Sequence, residues 1–203
     1  MNMNDEKSHL SCAALSIFAL LLNACSMHPM QQVKSLDEIA PDKIIVVGRV
    51  EFHPPLAEGE QFLKTSRGES FKNLFSLYCG DEPKELQPSA FSGFEGAYGV
   101  LLENDFYLEA DSSKPFYVLG GIFYAVFDPP YSMEAKTFKS MFKAGPRSSD
   151  KAVYIGTIQY YRDEFFNLKK VVIKDDYQRA NSEFKKRFKT GMTLDKALLA
   201  PVK

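Results

Sequence analysis

The sequence has no tryptophan, and only three of its 203 residues are cysteine and three are histidine. It contains no CxxC, CxxCH or paired metal-ligand spacing, so it lacks the patterns of zinc and haem attachment sites. It also lacks the GxSxG, HExxH and P-loop motifs, and no cofactor is predicted. Formal charge is nearly balanced, with 25 Lys and Arg against 26 Asp and Glu, which argues against nucleic acid as a partner.

One apolar stretch lies near the N-terminus, at residues 10–22, and only Ser11 and Ser16 interrupt it. As a helix it would span roughly 20 Å, at about 1.5 Å per residue, whereas a bilayer's hydrocarbon core is about 30 Å thick. The stretch therefore has the length of a signal-peptide apolar region rather than of a transmembrane helix.

The stretch ends in Leu22-Asn23-Ala24-Cys25, which resembles the lipobox of bacterial lipoproteins. The resemblance implies that the Cys25 thiol carries diacylglycerol, that the Ala24–Cys25 bond is cleaved, and that the new amino group is acylated, for example with palmitate. Ser26 then implies export to the outer membrane, with the domain facing the periplasm, because Asp at this position retains enterobacterial lipoproteins in the inner membrane. The alternatives are an ordinary signal peptide cut near Ala24 and a buried N-terminal helix.

Three segments follow from this interpretation: a signal peptide at residues 1–24, a lipidated tether at residues 25–41, and a single β-rich domain at residues 42–203. Removing the signal peptide takes away one basic and two acidic residues, so the mature chain carries 24 of each. Cys79 is then the one cysteine besides Cys25, and no disulfide can form within the domain. We expect Cys79 to be a small buried apolar residue, with an intermolecular thiol as the alternative.

The domain sequence is a series of short segments rich in Val, Ile, Tyr and Phe, separated by Gly, Pro, Asp and Ser. Such a series predicts an antiparallel β-sandwich or small barrel, and a parallel α/β fold is disfavoured because helical patterns do not alternate with the strands. The predicted strands lie at residues 43–52, 75–80, 97–103, 105–111, 115–127, 151–162 and 168–175.

One amphipathic helix is predicted after the last strand, near residues 176–189. Tyr177, Ala180, Phe184 and Phe188 form one apolar stripe, which predicts a packing face against the sheet. Asp175 or Asp176 can cap the start of the helix and Gly191 can end it. Residues 193–199 predict a further short helical turn.

Part of the domain resembles small sandwiches of the transthyretin and carboxypeptidase-regulatory class. The resemblance covers residues 98–188 and rests on the strand–turn–strand unit at residues 105–124 and on Tyr154–Thr157 followed by Asp175-Asp176. It implies a binding or structural module.

Few residues are candidates for catalysis or metal binding. His53 could act as a general base or a metal ligand, but it also fits the end of a strand that leads into a Pro-Pro turn. Asp163-Glu164 and Asp175-Asp176 could bind calcium if the ends of the intervening strand met, but no EF-hand spacing supports this, and turn and cap chemistry is the favoured explanation of both pairs. The sequence FDPPY at 127–131 predicts a rigid turn or an aromatic surface patch.

Charge is distributed unevenly along the mature chain. Residues 168–203 contain ten basic and four acidic side chains, so the rest of the mature chain carries a matching negative excess. The basic C-terminal helix could contact anionic lipid, lipopolysaccharide or cell-wall polymer, or could present only a solvated face. The predicted function is a non-enzymatic, membrane-anchored envelope lipoprotein that binds or scaffolds an envelope protein, lipopolysaccharide or cell-wall component. The alternative is an envelope hydrolase or metal-dependent enzyme that uses His53 and nearby carboxylates.

Overall fold

The structure, a computed structural model, describes residues 32–64, 70–81, 97–127, 132–146 and 151–202. The predicted signal peptide, the predicted lipidation residue Cys25 and residues 128–131 of the FDPPY turn lie outside these ranges. The described residues form strands β1 (Lys43–His53), β2 (Phe62–Lys64), β3 (Ser70–Lys72), β4 (Phe75–Gly80), β5 (Ala97–Val100), β6 (Asp105–Asp111), β7 (Phe116–Phe127), β8 (Ser132–Ala144), β9 (Ala152–Arg162), β10 (Leu168–Lys174), helix α1 (Tyr177–Phe188), and strands β11 (Asp195–Lys196) and β12 (Ala200–Pro201).

Most of these strands belong to two five-stranded sheets that pack face to face. The first sheet has the order β10-β9-β1-β6, with β11 also paired to β9, and the second has the order β12-β8-β7-β4-β5. Strands β2 and β3 form a separate two-stranded sheet. The predicted mainly β fold, a sandwich followed by one C-terminal helix, is confirmed.

The first sheet is mixed, whereas the sequence predicted an antiparallel one. β1 pairs with β6 antiparallel but with β9 parallel, and the short strand β11 is also parallel to β9. Parallel neighbours need a long connection, and the chain supplies one by building most of the second sheet between β1 and β9. The parallel pair therefore follows from chain routing, which no local residue pattern records.

An aromatic cluster fills the space between the two sheets. Phe52 of β1 is 1% exposed and lies at its centre. Its ring is stacked on that of Phe138 at 4.6 Å and meets four other rings edge-on at 5.2 to 6.5 Å between centroids. These four belong to Phe75, Phe123, Tyr160 and Phe166. Offset and edge-on ring pairs add to the stabilisation that apolar burial provides, so this cluster is the main core.

Two glycines with positive φ allow irregularities within long strands. β9 contains one residue more than β1 at a β-bulge, where their register shifts. That extra residue is Ile155, and Gly156 (φ 111°) follows it. The extra residue lets both Ile155 and Ile158 face the core, although they are three positions apart. Gly120 (φ 110°) lies at the corresponding shift between β7 and β8, where an added Cβ would collide with the carbonyl oxygen of Phe138.

Helix α1 packs on the outer face of the first sheet and forms a third layer. The predicted stripe of Tyr177, Ala180, Phe184 and Phe188 contacts a second apolar cluster, separate from the main core. Asp175 accepts a hydrogen bond from the backbone N–H of Tyr177 at 3.2 Å, as a cap would. The predicted helix and its packing face are thus confirmed.

The helix ends within one residue of its predicted end, but Lys189 rather than Gly191 terminates it, and the segment after it is not helical. Lys189 adopts the left-handed conformation (φ 48°) directly after the last helical residue, ahead of Gly191. Residues 193–199 are extended, because the N–H groups of Ala197 and Leu199 donate to the carbonyl oxygens of Tyr154 and Ile155. The predicted helical turn at 193–199 is therefore wrong.

Candidate functional site

The N-terminal part of the described chain lies against the domain. The backbone N–H of Val33 donates to the carbonyl oxygen of Tyr107 at 3.1 Å, beside β6 at the edge of the first sheet. Val33 is buried, and Leu36 and Ile39 pack against the same cluster as α1. Residues 32–41 were predicted to be part of the tether, but the structure packs this segment onto the sheet because its apolar side chains complete that cluster. Residues 25–31 of the predicted tether lie outside the described residues.

Arg187 joins this segment to the end of α1. Its Nη2 atom donates to the side-chain oxygen of Gln32 at 3.1 Å and to the carbonyl oxygen of Val33 at 3.3 Å. The guanidinium carbon also lies 4.5 Å from the centre of the Tyr107 ring. Burial, with the nearby Asp105 carboxylate, raises the pKa of Tyr107 to about 12, and the Arg187 charge opposes that rise. The phenol thus stays neutral beneath a cation.

Three lysines accompany Arg187 at this end of the helix, and together they define the basic end of α1: Lys185, Lys186, Arg187 and Lys189. Lys186 and Lys189 are exposed, and Lys185 is partly exposed. No ion pair joins these lysines to a carboxylate within the part of the chain that the structure describes. Cations at a helix C-terminus interact favourably with the helix dipole, and here they also remain available to solvent.

A second polar surface lies on the same sheet face, beyond the N-terminal end of α1. Arg49, Glu51 and His53 alternate along β1 and point outward. The Nε atom of Arg49 lies 2.8 Å from Oε1 of Glu51, and Gln159 on β9 donates to Oε2 of Glu51 at 3.0 Å. Burial raises the pKa of Glu51, but the Gln159 hydrogen bond and the positive charges of Arg49, His53 and Lys174 outweigh it, so the net shift is downward.

His53 belongs to this row and has one carboxylate within reach. Its Nε2 atom lies 3.6 Å from Oε2 of Glu51, and its ring stacks on Tyr161 at 4.9 Å between centroids. Across the described ranges, no group of three His, Cys, Asp or Glu side chains is placed to hold a metal ion. Among the described residues, Glu51 is the one carboxylate that forms an ion-pair contact with His53, whereas the predicted alternative, a His53-based enzyme, requires two.

The two predicted acidic pairs are structural elements at opposite ends of β10. Asp163 accepts hydrogen bonds from the backbone N–H groups of Phe165 and Asn167 and pairs with Lys169 at 2.8 Å. The contact with Lys169 is the largest cause that lowers the pKa of Asp163, and these hydrogen bonds lower it further. Asp175 caps α1 and pairs with Lys196 at 2.7 Å. Because a whole strand separates the pairs, they do not form the calcium site that the sequence left open.

Cys79 is buried within β4 and faces the main core together with Phe75 and Leu77. Burial raises the pKa of its thiol well above the usual range. A thiol that stays protonated reacts slowly, so Cys79 serves as the small buried apolar residue that the sequence predicted.

Two paired arginines, Arg162, which is buried, and Arg179, which is partly exposed, were not singled out from the sequence. The side chain of Arg162 is 3% exposed, pairs with Glu60 at 2.8 Å, and has its guanidinium carbon 3.9 Å from the centre of the Phe166 ring. Arg179 of α1 bridges Asp105 and Asp176, both at 2.8 Å. Each cation is paired across elements far apart in the chain, so only the fold shows that these residues are neighbours.

Two clefts border the candidate surfaces. One of about 280 Å³ lies between Arg49 and the small β2–β3 sheet, and its lining includes Asn73 and Asn104. The other, of about 460 Å³, runs beside the N-terminal segment and includes Lys34, Glu38 and Glu109. Both are shallow and polar, which suits a macromolecular contact better than an enclosed small-molecule site.

No described helix combines the length and the apolar character needed to cross a membrane. In comparisons with known protein families, curated proteins and solved structures, nothing matches this chain.

Proposed function

We propose that the chain is a bacterial envelope lipoprotein, anchored through lipid on Cys25, whose sandwich binds or scaffolds another envelope component without catalysing a reaction. The observation that carries the proposal is the Leu22-Asn23-Ala24-Cys25 sequence, which ends eight positions before Val33, the first buried residue of the described chain. Eight residues at about 3.4 Å each span no more than roughly 27 Å, so a lipid on Cys25 would hold the domain close to a membrane surface. Two acylations are sufficient for stable anchoring.

The lipid attachment is tested by metabolic labelling of cells with palmitate. The Cys25→Ser protein should lose the label and keep an uncut or differently cut N-terminus, whereas Cys12→Ser, in the predicted signal peptide, should be labelled like the wild type. Equal labelling of the Cys25→Ser protein would refute the anchor.

The surface proposed for binding is the outer face of the first sheet where α1 does not cover it. We call this surface the open half; it comprises Arg49, Glu51, His53, Gln159, Tyr161, Lys170 and Val172. Ion pairs, the His53–Tyr161 stack and the contact of Lys170 Nζ at 4.2 Å from the Tyr161 ring hold its side chains in place. Because the side chains are already ordered, a partner would fix few additional rotamers on binding, which lowers the cost of association.

Crosslinking in cells tests this surface. A photoactivatable residue at Val172, which is 37% exposed on β10 in the open half, should capture one envelope component. The same residue at Met133, which is 60% exposed on β8 of the second sheet, is the matched control. Capture at Val172 that is lost when Arg49→Glu is added supports the proposal. Equal capture at both positions, or capture unaffected by Arg49→Glu, contradicts it.

A further inference from the structure

The start of the described chain and the basic end of α1 occupy one place on the molecule. Arg187 contacts both Gln32 and Val33, so the last turn of α1, which also carries Lys185 and Lys186 and is followed by Lys189, adjoins the first described residues. Lys34 is exposed beside the same place. Glu183 is the one acidic residue within the helix, and Glu38 and Glu109 line the cleft beside Lys34, so the excess of positive charge belongs to the last turn of α1 itself.

The length of the intervening chain limits how far this place can be from an anchored lipid. Gln32 is seven residues after Cys25. At about 3.4 Å per residue, even a fully extended chain spans no more than roughly 24 Å. Attractive charge acts over a Debye length of roughly 8 Å at physiological salt, so a modest approach brings the lysines into range of the headgroups.

The orientation of the helix favours this approach. Phe184 and Phe188 are directed into the apolar cluster on the sheet, which leaves Lys186 and Lys189 on the outside. Their charges are not neutralised by a described carboxylate, so contact with an anionic surface would break no ion pair of the domain.

We infer that the basic end of α1 is a docking surface for the anionic headgroups of the membrane that carries the lipid anchor. This inference rests on the proposed lipid attachment at Cys25. The basic end is the C-terminal end of α1, whereas the open half begins beside Arg179 in the N-terminal half of the helix, so the two surfaces lie towards opposite ends of α1. The tether then sets the distance to the membrane, and the lysines set the orientation of the domain.

The test uses the intact lipidated protein in two kinds of vesicle, phosphatidylcholine alone and phosphatidylcholine mixed with phosphatidylglycerol. Amine-reactive labelling with peptide mass spectrometry reports the accessibility of each lysine. Lys186 and Lys189 should react several-fold more slowly in the anionic vesicles, whereas Lys139 and Lys143, exposed on β8 of the second sheet, should react equally in both. Equal labelling of Lys186 and Lys189 in the two kinds of vesicle would overturn the inference.

The same samples separate a failure of docking from a failure of the anchor. Protein that enters phosphatidylcholine vesicles and carries lipid on Cys25, but shows no protection in anionic vesicles, refutes the docking surface and leaves the lipoprotein proposal standing. Protein that carries no lipid and enters neither kind of vesicle refutes both.

A charge-removal variant measures the contribution of the lysines directly. The mature chain with Cys25→Ser should bind anionic vesicles at low salt and release them as salt rises. Each cation near an anionic membrane contributes about 1 kcal/mol, or roughly fivefold in affinity, so Lys185→Gln with Lys186→Gln and Lys189→Gln should weaken binding roughly a hundredfold.

The matched control replaces Lys72, Lys139 and Lys143, three exposed lysines away from α1, with Gln. It should retain binding to anionic vesicles, and both triple variants should melt at the wild-type temperature. Equal loss in both variants would mean that net charge alone governs binding, and it would overturn the docking surface. Binding of the wild type to cell-wall fragments but not to anionic vesicles would do the same.

Discussion

The outer face of the first sheet has two halves that differ in chemistry although they share one strand. Ile45 and Val47 of β1 lie under α1, where they are almost fully buried, whereas Arg49, Glu51 and His53 of the same strand lie in the open half. The inward-facing residues of β1 are apolar or glycine along its whole length. Along β1, only the outward-facing residues change from apolar to polar. The change therefore marks where α1 stops covering the sheet.

Arg179 of α1 marks the boundary between the two halves. It pairs with Asp105 at the start of β6 and with Asp176 at the start of the helix. Burial opposes the charge of its guanidinium, but the two carboxylates outweigh it and raise the pKa of Arg179 further above its usual value. The cation is therefore fixed in place where apolar packing gives way to polar contacts.

The covered half should carry most of the stability of this face. Phe184→Ala removes a fully buried ring between α1 and the sheet and should cost about 3–5 kcal/mol in the free energy of unfolding. Val172→Ala, in the open half of the same sheet, should cost no more than about 0.5 kcal/mol. Urea unfolding followed by circular dichroism measures both. Similar losses would mean that the two halves contribute alike.

At the boundary between the two halves, the loss in the free energy of unfolding should be intermediate. Arg179→Met leaves the Asp105 carboxylate, which is 7% exposed, without its partner, and should cost about 2 kcal/mol because an unpaired buried charge is unfavourable. Adding Asp105→Asn should recover part of that loss. A double variant that is less stable than the sum of the single changes would contradict the pairing.

In the open half, the effect of replacing Glu51 on the free energy of unfolding should depend on pH. Because the pKa of Glu51 is lowered from 4.5, its ionised form stabilises the fold above that value, and the contribution is lost as pH falls through the lower pKa of the folded state. Glu51→Gln should therefore reduce stability by less than about 1 kcal/mol at pH 6, and the difference from wild type should shrink towards pH 3. Parallel stability curves for wild type and variant would refute this.

The smallest effect is expected at His53. His53→Ala removes one partner of the Tyr161 stack at a partly exposed position, and should lower stability by about 0.5 kcal/mol. His53→Phe preserves the stack and should match wild type in thermal melting. A drop in melting temperature for His53→Phe as large as that for His53→Ala would show that the imidazole contributes more than stacking.

Several elements were predictable because their residues form strong local patterns. β1, β4, β6 and β9 are rich in Val, Ile, Tyr, Phe and Leu, and Phe75, Leu77 and Cys79 alternate as a one-sided strand requires. The stripe on α1 has helical spacing, and its packing face follows from that spacing alone. In each case the residues that are buried in the structure are those that the local pattern predicted to face the core.

Other elements were missed because their partners are distant in sequence. β8 reads as polar, since it contains four charged residues, Glu134, Lys136, Lys139 and Lys143, but only two fully buried apolar residues, Phe138 and Ala144. Residues 193–199 have a helix-like composition, yet Leu194 and Leu199 enter two different apolar clusters, which only an extended chain can reach. Tertiary contacts therefore determine the extended conformation of both segments.

The candidate sites divide in the same way. The burial of Cys79 and the turn roles of the acidic pairs were predicted from local chemistry. The packing of Val33 against β6 and the ion pair between Arg162 and Glu60 were not, because each depends on residues far apart in the chain. The Arg187 contact with Gln32 joins positions at nearly opposite ends of the sequence, and no motif marks it.

The packed N-terminal segment also determines how the domain would bear a mechanical load. A pull that arrives at Gln32 first meets the Val33 hydrogen bond and the Arg187 contact, and only then reaches β1. β1 is held by hydrogen bonds to β6 on one side and β9 on the other, so extracting it requires many bonds to shear together rather than to open one by one. If a moving membrane pulled on this end, the hydrogen bonds of Val33 would break first. They could form again when the force fell, and β1 would stay paired with β6 and β9 throughout.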